Sequence, residues 1–219
     1  MSDPFYKAIR FSGRHVFWLT SNRRRVIGAH HAQLPGPYIL AATHGSPYDI
    51  PLLILHTKRN LDFVSSAEVF KNRFVAWFYG SMNAFPLDRS RPDTSAVRII
   101  LDRLKRGRAV AMFPEGRICK GNASVVFSRR IRPGIGRIAQ LANVPIVPVV
   151  IVNSIAYSRV INWLPLKRVR YGLIYGPPIA PEGDAKAIEQ QLIDAYVALH
   201  AELIAQMPPA ARDAVSSTA

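Results

Sequence analysis

The chain has 219 residues, 49% of them hydrophobic, and carries 29 lysines and arginines against 14 aspartates and glutamates, a formal charge of +15. These proportions exclude a disordered polymer and are typical of one domain with a sizeable core. The single cysteine, Cys119, cannot form an intramolecular disulfide, and the first residues lack the apolar segment of a secretory signal, so we expect a reducing, cytoplasmic setting.

The predicted elements alternate between helix and strand along the chain. Residues 4–20 mix aromatic side chains with Lys7, Arg10 and Arg14 and indicate a short basic helix. Apolar runs then predict strands at 37–43, 60–66, 83–88, 109–113, 144–152 and 169–175. Periodic segments predict helices at 48–57, 67–78, 93–106, 134–142 and 184–206.

This order predicts an α/β fold, a single-domain layered structure with a largely parallel central sheet flanked by helices. In such folds, reactive groups gather at the carboxyl ends of the strands. We expect three parts in the chain: a basic aromatic helix within 1–25, the main domain over 26–206, and a flexible C-terminal tail over 207–219.

The positive charge is concentrated in one region. Residues 103–137 carry ten basic side chains and one acid, Glu115, whereas residues 182–219 carry six acids and two bases. Such a concentration favours a polyanionic partner, which is a nucleic acid, an acidic membrane surface or a phosphorylated substrate. The alternative is a basic surface that serves only solubility, and scattered charge would fit that alternative better.

A candidate catalytic pair lies in the segment ILAATHGSPYDIPLL, residues 39–53. His44 follows a predicted strand and precedes a predicted helix, whose positive N-terminal end favours a neutral imidazole that can accept a proton. Asp49 can hold that ring by a hydrogen bond, as a carboxylate does in serine hydrolases. Neither Ser46 nor Cys119 lies in the sequence pattern of a catalytic nucleophile, so direct deprotonation of a substrate hydroxyl by His44 is the simpler hypothesis. The alternative is a polar turn in which Asp49 only caps the helix.

Two further turns follow predicted strands and carry cations. The segment AVAMFPEGRICKG, residues 109–121, places Arg117 and Lys120 beside glycines that permit close backbone approach to a ligand. Arg89, in NAFPLDRS at 83–90, is a second candidate phosphate donor. Each cation alone is better explained as a solvated surface charge. Three strand-end turns together favour a phosphorylated substrate.

These segments resemble the sequence blocks of the glycerolipid acyltransferases, the family that contains 1-acylglycerol-3-phosphate (lysophosphatidate) acyltransferases. The four matching segments, in chain order, are HGSPYD (44–49), NAFPLDR (83–89), FPEGR (113–117) and VPIVPVVI (144–151). The resemblance covers about residues 26–180 and makes the main domain an acyltransferase domain. This chain departs from the family pattern at Arg117, which follows Gly116 directly instead of after an intervening residue.

The resemblance implies an O-acyltransferase of phospholipid biosynthesis. A fatty acyl group would pass from acyl-CoA or acyl-carrier protein, as co-substrate, to a hydroxyl of a lysophospholipid-type acceptor, in the first place lysophosphatidate. It implies no cofactor, no metal and no covalent acyl-enzyme. The implied roles are general base for His44, its partner for Asp49, and substrate binding for Arg89, Glu115, Gly116, Arg117 and Pro148. Glu115 would orient an arginine or bond a hydroxyl.

Lipid substrates suggest a protein bound peripherally to the cytoplasmic face of a membrane. The helix over 4–20 is a candidate contact with the anionic membrane surface, through Phe5, Phe11, Phe17 and Trp18. An ordinary helix packed on the sheet is the alternative. The segment VINWLPLKRVR, residues 160–170, is a second candidate contact.

Two rival functions remain open at this stage. A hydrolase of acyl thioesters or lipids would use His44 and Asp49 with water in place of an acceptor. A nucleic-acid-binding protein would explain the charge but not the FPEGR turn, and the sequence has no recognisable zinc-ligand set or RNP-like segment. We therefore expect no nucleic-acid partner.

Overall fold

The computed structural model describes residues 3–20, 24–66, 84–87, 94–163 and 169–207. Within these ranges it contains a seven-stranded sheet with the strand order β1-β7-β6-β2-β5-β3-β4. The strands are β1 (Arg25–Ile27), β2 (Tyr38–Ala42), β3 (Leu61–Ser66), β4 (Ala84–Leu87), β5 (Ala109–Met112), β6 (Ile146–Val152) and β7 (Gly172–Tyr175). The β6–β7 pair is antiparallel and the other strand pairs are parallel, which confirms the largely parallel sheet.

Helices cover both faces of this sheet. The described α-helices are α1 (Asp3–Thr20), α2 (Asp49–His56), α3 (Thr94–Lys105), α4 (Val125–Ser128), α5 (Ile135–Ala142) and α6 (Ala185–Gln206). Short 3-10 turns lie at Ala29–Ala32, Gly121–Ala123, Ser154–Ser158 and Val160–Trp163. Among the described residues, none of the helices is both long and apolar enough to cross a bilayer.

Alternation along the central strands divides the core into two layers. In β2, Leu40 and Ala42 face the layer that contains α1 and α2, whereas Ile39 and Ala41 face the layer that contains α3, α5 and α6. Every residue of β2 and β6 is buried, because helices cover both faces of these strands. This double burial explains why the two strands read as nearly continuous apolar runs in the sequence.

The described elements match the predicted ones within a few residues. The predicted helix at 67–78 lies outside the described residues, as does the predicted tail except for Met207, which is buried. Sequence patterns missed β1, because three residues at the sheet edge are too few to show alternation. They also missed α4, which has a single turn of four residues.

The N-terminal helix packs on the main domain. Tyr6 is fully buried, and its hydroxyl accepts a hydrogen bond from the backbone N–H of Leu61 at 3.2 Å. Phe17 is 5% exposed and contacts the ring of Tyr157, so the prediction that Phe17 meets the membrane surface is wrong. The burial of Phe17 follows from its place on the face of α1 that packs on the core.

Strand order brings the predicted turns together. Parallel β2 lies between β5 and β6, with Ala41 opposite Met112 on one side and Pro148 on the other. The residues that follow β2 and β5 therefore emerge at the same edge of the sheet. His44 comes two residues after β2, and the FPEGR segment begins directly after β5.

Candidate active site

His44 is fixed by its backbone to the two neighbouring strand ends. The preceding residue, Thr43, donates its N–H to Val149 O and accepts the N–H of Ile151 on its side-chain oxygen, both at 3.0 Å. These bonds continue the sheet past the end of β2. The carbonyl of His44 accepts the N–H of Cys119 at 2.8 Å, which ties it to the turn after β5.

Asp49 holds the imidazole of His44 as the sequence predicts. Nδ1 of His44 lies 3.0 Å from Oδ2 of Asp49, and the two side chains are 14% and 0% exposed. Because a carboxylate can only accept hydrogen bonds, Nδ1 is the donor, and Nε2 keeps the lone pair that a general base needs. Asp49 begins α2 but does not cap it, since the N-cap is Tyr48 and Asp49 Oδ2 also accepts the N–H of Ser46 at 2.9 Å.

Ser46 stabilises this turn from inside and was not predicted to do so. Its Oγ accepts the N–H of Tyr48 at 3.1 Å and lies 2.9 Å from Oγ of Ser154. Ser46 and Ser154 are both buried. The turn after β2 is therefore bonded to the segment after β6, a contact between residues too far apart in sequence for a local pattern to reveal.

Phe113 sets the plane of the imidazole. Its ring stacks on His44 with centroids 4.0 Å apart and an interplanar angle of 20°. Phe113 is the first residue after β5, the neighbour of β2. A predicted β2–β5 pairing would have placed it beside His44, so strand order is the signal that sequence patterns alone did not supply.

Glu115 holds the backbone of His44 by a hydrogen bond. Its carboxylate is buried, and its two oxygens accept the backbone N–H groups of His44 and Val125. Burial raises the pKa of the Glu115 carboxyl above its ordinary value, although these two hydrogen bonds and one from Ser124 act in the opposite direction. Strand order brings the backbone of His44 within reach of Glu115. The role that the resemblance implies for Glu115, orienting an arginine or bonding a hydroxyl, stays a prediction.

Gly116 and Arg132 shape the cationic side of the site. Gly116 has φ +72°, and a Cβ at this position would lie 2.3 Å from Cδ and Nε of Arg132. The glycine therefore lets the arginine side chain cross the turn. Arg132 also donates its N–H to the carbonyl of Pro114 at 2.8 Å. Arg117 is exposed and lines a cleft together with Glu115 and Arg132.

Two further predicted site residues are Arg89 and Pro148. Arg89 is outside the described residues. Pro148 is buried within β6, where its ring approaches Gly176 and its carbonyl accepts the N–H of Gly176 at 2.9 Å. Any effect of Pro148 on binding would act through packing of the sheet. Within the described part of the chain, no group of three His, Cys, Asp or Glu side chains has the arrangement of a metal site.

The fold and the site together define a class of protein. A histidine held by a buried carboxylate, at the edge of a parallel sheet and next to a cationic turn, is suited to acid–base chemistry on an anionic substrate. The family described as Acyltransferase matches residues 23–152 of this sequence. The chain therefore belongs to the Acyltransferase family, as the resemblance of its four segments predicts.

Two curated relatives carry the same description, 1-acyl-sn-glycerol-3-phosphate acyltransferase. The protein from Streptococcus pneumoniae is 31% identical over 144 residues, which are 65% of this chain and 50% of that protein. The protein from Bacillus subtilis is 29% identical over 112 residues, which are 51% of this chain and 53% of that protein. The chain thus spans about half the length of the curated relatives it matches.

A solved structure has the same fold. The crystal structure of the 1-acyl-sn-glycerophosphate (LPA) acyltransferase PlsC from Thermotoga maritima superposes with a TM-score of 0.63, covering 90% of this chain and 80% of that one. Its sequence identity to this chain is 23%. This likeness confirms the mixed α/β layered fold.

Proposed function

We propose that this protein transfers a fatty acyl group from a thioester donor to a hydroxyl of 1-acylglycerol-3-phosphate. The observation that carries the proposal is the His44–Asp49 pair, whose Nδ1–Oδ2 distance is 3.0 Å. The names of the two bacterial relatives support the acceptor. The cationic turn next to His44 supports an acceptor that bears a phosphate.

In the proposed reaction, Nε2 of His44 removes the proton of the acceptor hydroxyl. The resulting oxygen nucleophile attacks the thioester carbonyl, and the tetrahedral oxyanion collapses with release of the thiol. The thiolate takes up the proton from the imidazolium, which restores neutral His44. Asp49 keeps the proton on Nδ1 throughout and stabilises the imidazolium between the two steps. The products are the diacylated lipid and free thiol.

Phe113 and Glu115 position His44 in this mechanism. Phe113 stacks on the ring and limits its rotation, and Glu115 fixes the backbone that carries it. A base acts efficiently only when it is held within hydrogen-bond reach of the proton it removes. We therefore assign these two side chains to orientation rather than to proton transfer.

The donor in the proposal is acyl-CoA or acyl-carrier protein, used as a co-substrate. A thioester carbonyl is already activated toward an oxygen nucleophile, so the proposed step requires no resident cofactor or metal. A cleft with mainly apolar lining borders the His44 turn at Gly45 and extends to Val126, Phe127 and Ile155. This cleft is our candidate for the acyl chain of the donor.

We also propose that the outer face of α1 binds an anionic membrane surface. Phe11, Trp18 and Leu19 are 69%, 60% and 56% exposed, although the opposite face of the same helix packs on the core. The basic residues Lys7 and Arg14 lie on the same helix. Exposed aromatic side chains beside basic ones are typical of helices that lie in the headgroup layer. Residues 164–168 of the second predicted contact lie outside the described residues.

The membrane proposal can be tested by vesicle sedimentation. Wild-type protein should bind phosphatidylglycerol vesicles more tightly than phosphatidylcholine vesicles, and the double variant Phe11→Ser/Trp18→Ser should lose most of that binding. Leu141→Ser is the matched control, because Leu141 is 52% exposed on α5, away from α1. Equal binding by the double variant and the control would contradict the proposal.

The acyltransferase proposal is tested by thiol release from palmitoyl-CoA and from palmitoyl-carrier protein, each with and without lysophosphatidate. We expect release from at least one donor only when the acceptor is present, with formation of phosphatidate in equal amount. Equal release without acceptor would instead identify a thioester hydrolase. Release that depends on glycerol 3-phosphate and not on lysophosphatidate would contradict the proposed acceptor.

A further inference from the structure

Three arginines converge on one cleft beside the site. The cleft is lined by Arg117, Arg130 and Arg132, together with Asn122 and Ser128. Two of the three, Arg130 and Arg132, come from the segment after α4 and lie outside the four family-like blocks. Polar and cationic side chains thus line a concave site, which suits a small anionic ligand.

The cations of this cleft differ from their neighbours in sequence. Elsewhere in the basic region, Arg103 and Arg108 pair with Asp62, Arg106 pairs with Asp102, and Arg129 pairs with Asp194. Among the described residues, none of the three cleft arginines forms an ion pair with a carboxylate.

Among the ion pairs of the described residues, none joins the carboxylate in the same cleft to these arginines. Glu115 is 7% exposed, and its oxygens accept backbone N–H groups. Three guanidiniums without a carboxylate partner leave donors available for a ligand.

Arg132 is held in place before any ligand binds. Its backbone is bonded to Pro114, and its side chain crosses Gly116, where any larger residue would collide with it. The segment 130–132 is thereby attached to the turn that also supports His44 through Glu115. A ligand held by Arg132 would lie in a fixed relation to the His44 turn.

We propose that Arg130 and Arg132, together with Arg117, bind the phosphate monoester of a substrate. Arg117 follows Gly116 directly and is exposed at the turn. Arg130 and Arg132 supply two further planar donors on the same side of the turn. Lysophosphatidate and coenzyme A both carry a phosphate monoester, so the cleft serves either the acceptor or the donor. The inference rests on the proposed acyltransferase function.

The test compares the double variant Arg130→Gln/Arg132→Gln with the wild type in the thiol-release assay. Loss of charge-assisted hydrogen bonds to phosphate should raise one KM by about tenfold or more. An increase in the KM for lysophosphatidate assigns the cleft to the acceptor, and an increase in the KM for palmitoyl-CoA assigns it to the donor. We expect kcat to change by less than about threefold in either case, because binding and not proton transfer is affected.

Arg129→Gln is the matched control. It removes one positive charge from the same segment, but Arg129 pairs with Asp194 on α6 and does not line the cleft. Its two KM values should stay within about twofold of the wild type, since exposed ion pairs contribute little. The proposal is overturned if the double variant and this control show the same KM values for both substrates.

A binding measurement separates this inference from the proposed function. If the wild type shows no acyl transfer with any donor and acceptor, the function fails, and inorganic phosphate titrated into ¹⁵N-labelled protein still tests the cleft. Arginine Nε–Hε signals that shift in the wild type and not in the double variant would support the phosphate site. Equal shifts in both proteins would overturn it.

Discussion

The two turns that meet at the site are stabilised in different ways. The turn from His44 to Asp49 is held mainly by its own atoms, with Asp49 accepting hydrogen bonds from both His44 and Ser46. The turn that begins at Phe113 is held by residues that are distant in sequence. Glu115 bonds to His44 and Val125, and the side chain of Arg132 crosses Gly116. The first turn therefore has hydrogen bonds within six consecutive residues in addition to its bonds to Glu115, Cys119 and Ser154, whereas the second is held mainly by separate segments.

This difference assigns different tasks to the turns. The local bonds of the first turn set the geometry of the proton-transferring pair. A turn assembled from distant segments couples the position of the base to the place where the anion binds. Substitutions in the first should therefore reduce kcat, and those in the second should also affect KM and stability.

The largest of these effects is expected for Asp49→Asn. The amide can present its N–H₂ to the ring and so favour the wrong tautomer, with the proton on Nε2. We expect kcat to fall by about 100-fold to 1,000-fold, with the KM for the acceptor changed by less than about threefold. Steady-state kinetics of the folded variant measure both values. A variant with wild-type kcat would show that the first turn does not orient a base.

Glu115→Gln should have an intermediate effect. One of the two backbone N–H groups would lose its acceptor, because an amide offers a single oxygen. We expect about a tenfold loss in kcat and a decrease of about 1–3 kcal/mol in the free energy of unfolding. Urea denaturation measures the second quantity. A rise in the KM for the acceptor with kcat unchanged would instead indicate that Glu115 contacts the substrate directly.

Gly116→Ala tests the link to Arg132. The added Cβ would displace the arginine side chain, and φ +72° is strained for alanine, so we expect a decrease of about 2 kcal/mol in the free energy of unfolding. Gly107→Ala is the matched control, because Gly107 has φ +73° and no atom within 4 Å of its added Cβ. The difference between the two variants isolates the contact with Arg132. Equal stability and an equal KM for the acceptor would show that this contact has no effect.

The smallest expected effect is on the stability of the protein at acid pH. This stability must be measured before the kinetics of variants in the two turns are compared across pH. Burial, with Arg24 and Arg14 acting in the same direction, lowers the pKa of the His56 imidazole from 6.5 to about 4. Between these values the unfolded chain binds more protons than the folded one, so the free energy of unfolding should fall as the pH drops from 6.5 to about 4.

Replacement of His56 by glutamine should reduce that dependence on pH. Burial also lowers the pKa values of His31 and His200, which act in the same direction, so part of the slope should remain in His56→Gln. Denaturation series at several pH values measure the slope. Identical slopes in the variant and the wild type would contradict the assignment to His56.

The two turns also differ in how much of their structure the sequence could predict. The His44–Asp49 contact was predictable because both residues lie in one short turn between a strand and a helix. The bond from His44 to Glu115 joins residues 71 positions apart and depends on β2 lying beside β5. The alternation of predicted strands and helices predicted a parallel sheet but not the order of its strands. The bond from Glu115 to His44 and the stacking of Phe113 could therefore not be predicted.

The same limit applies to surfaces. Aromatic residues along α1 predicted a membrane-facing helix, yet the pattern did not separate Phe17, which is buried, from Phe11 and Trp18, which are exposed. Contacts with the core, such as that of Phe17 with Tyr157, distinguish the two faces. Likewise, charge counts located a basic region, but not the three arginines that share a cleft.

The central claim is that His44 is the base, and kcat of His44→Ala tests it most directly. Phosphatidate formation from lysophosphatidate and a saturating thioester donor should fall by about 1,000-fold or more relative to the wild type. Circular dichroism should show that the variant remains folded, because the backbone bonds of His44 do not involve its ring. A folded His44→Ala protein with wild-type kcat would contradict the proposed mechanism.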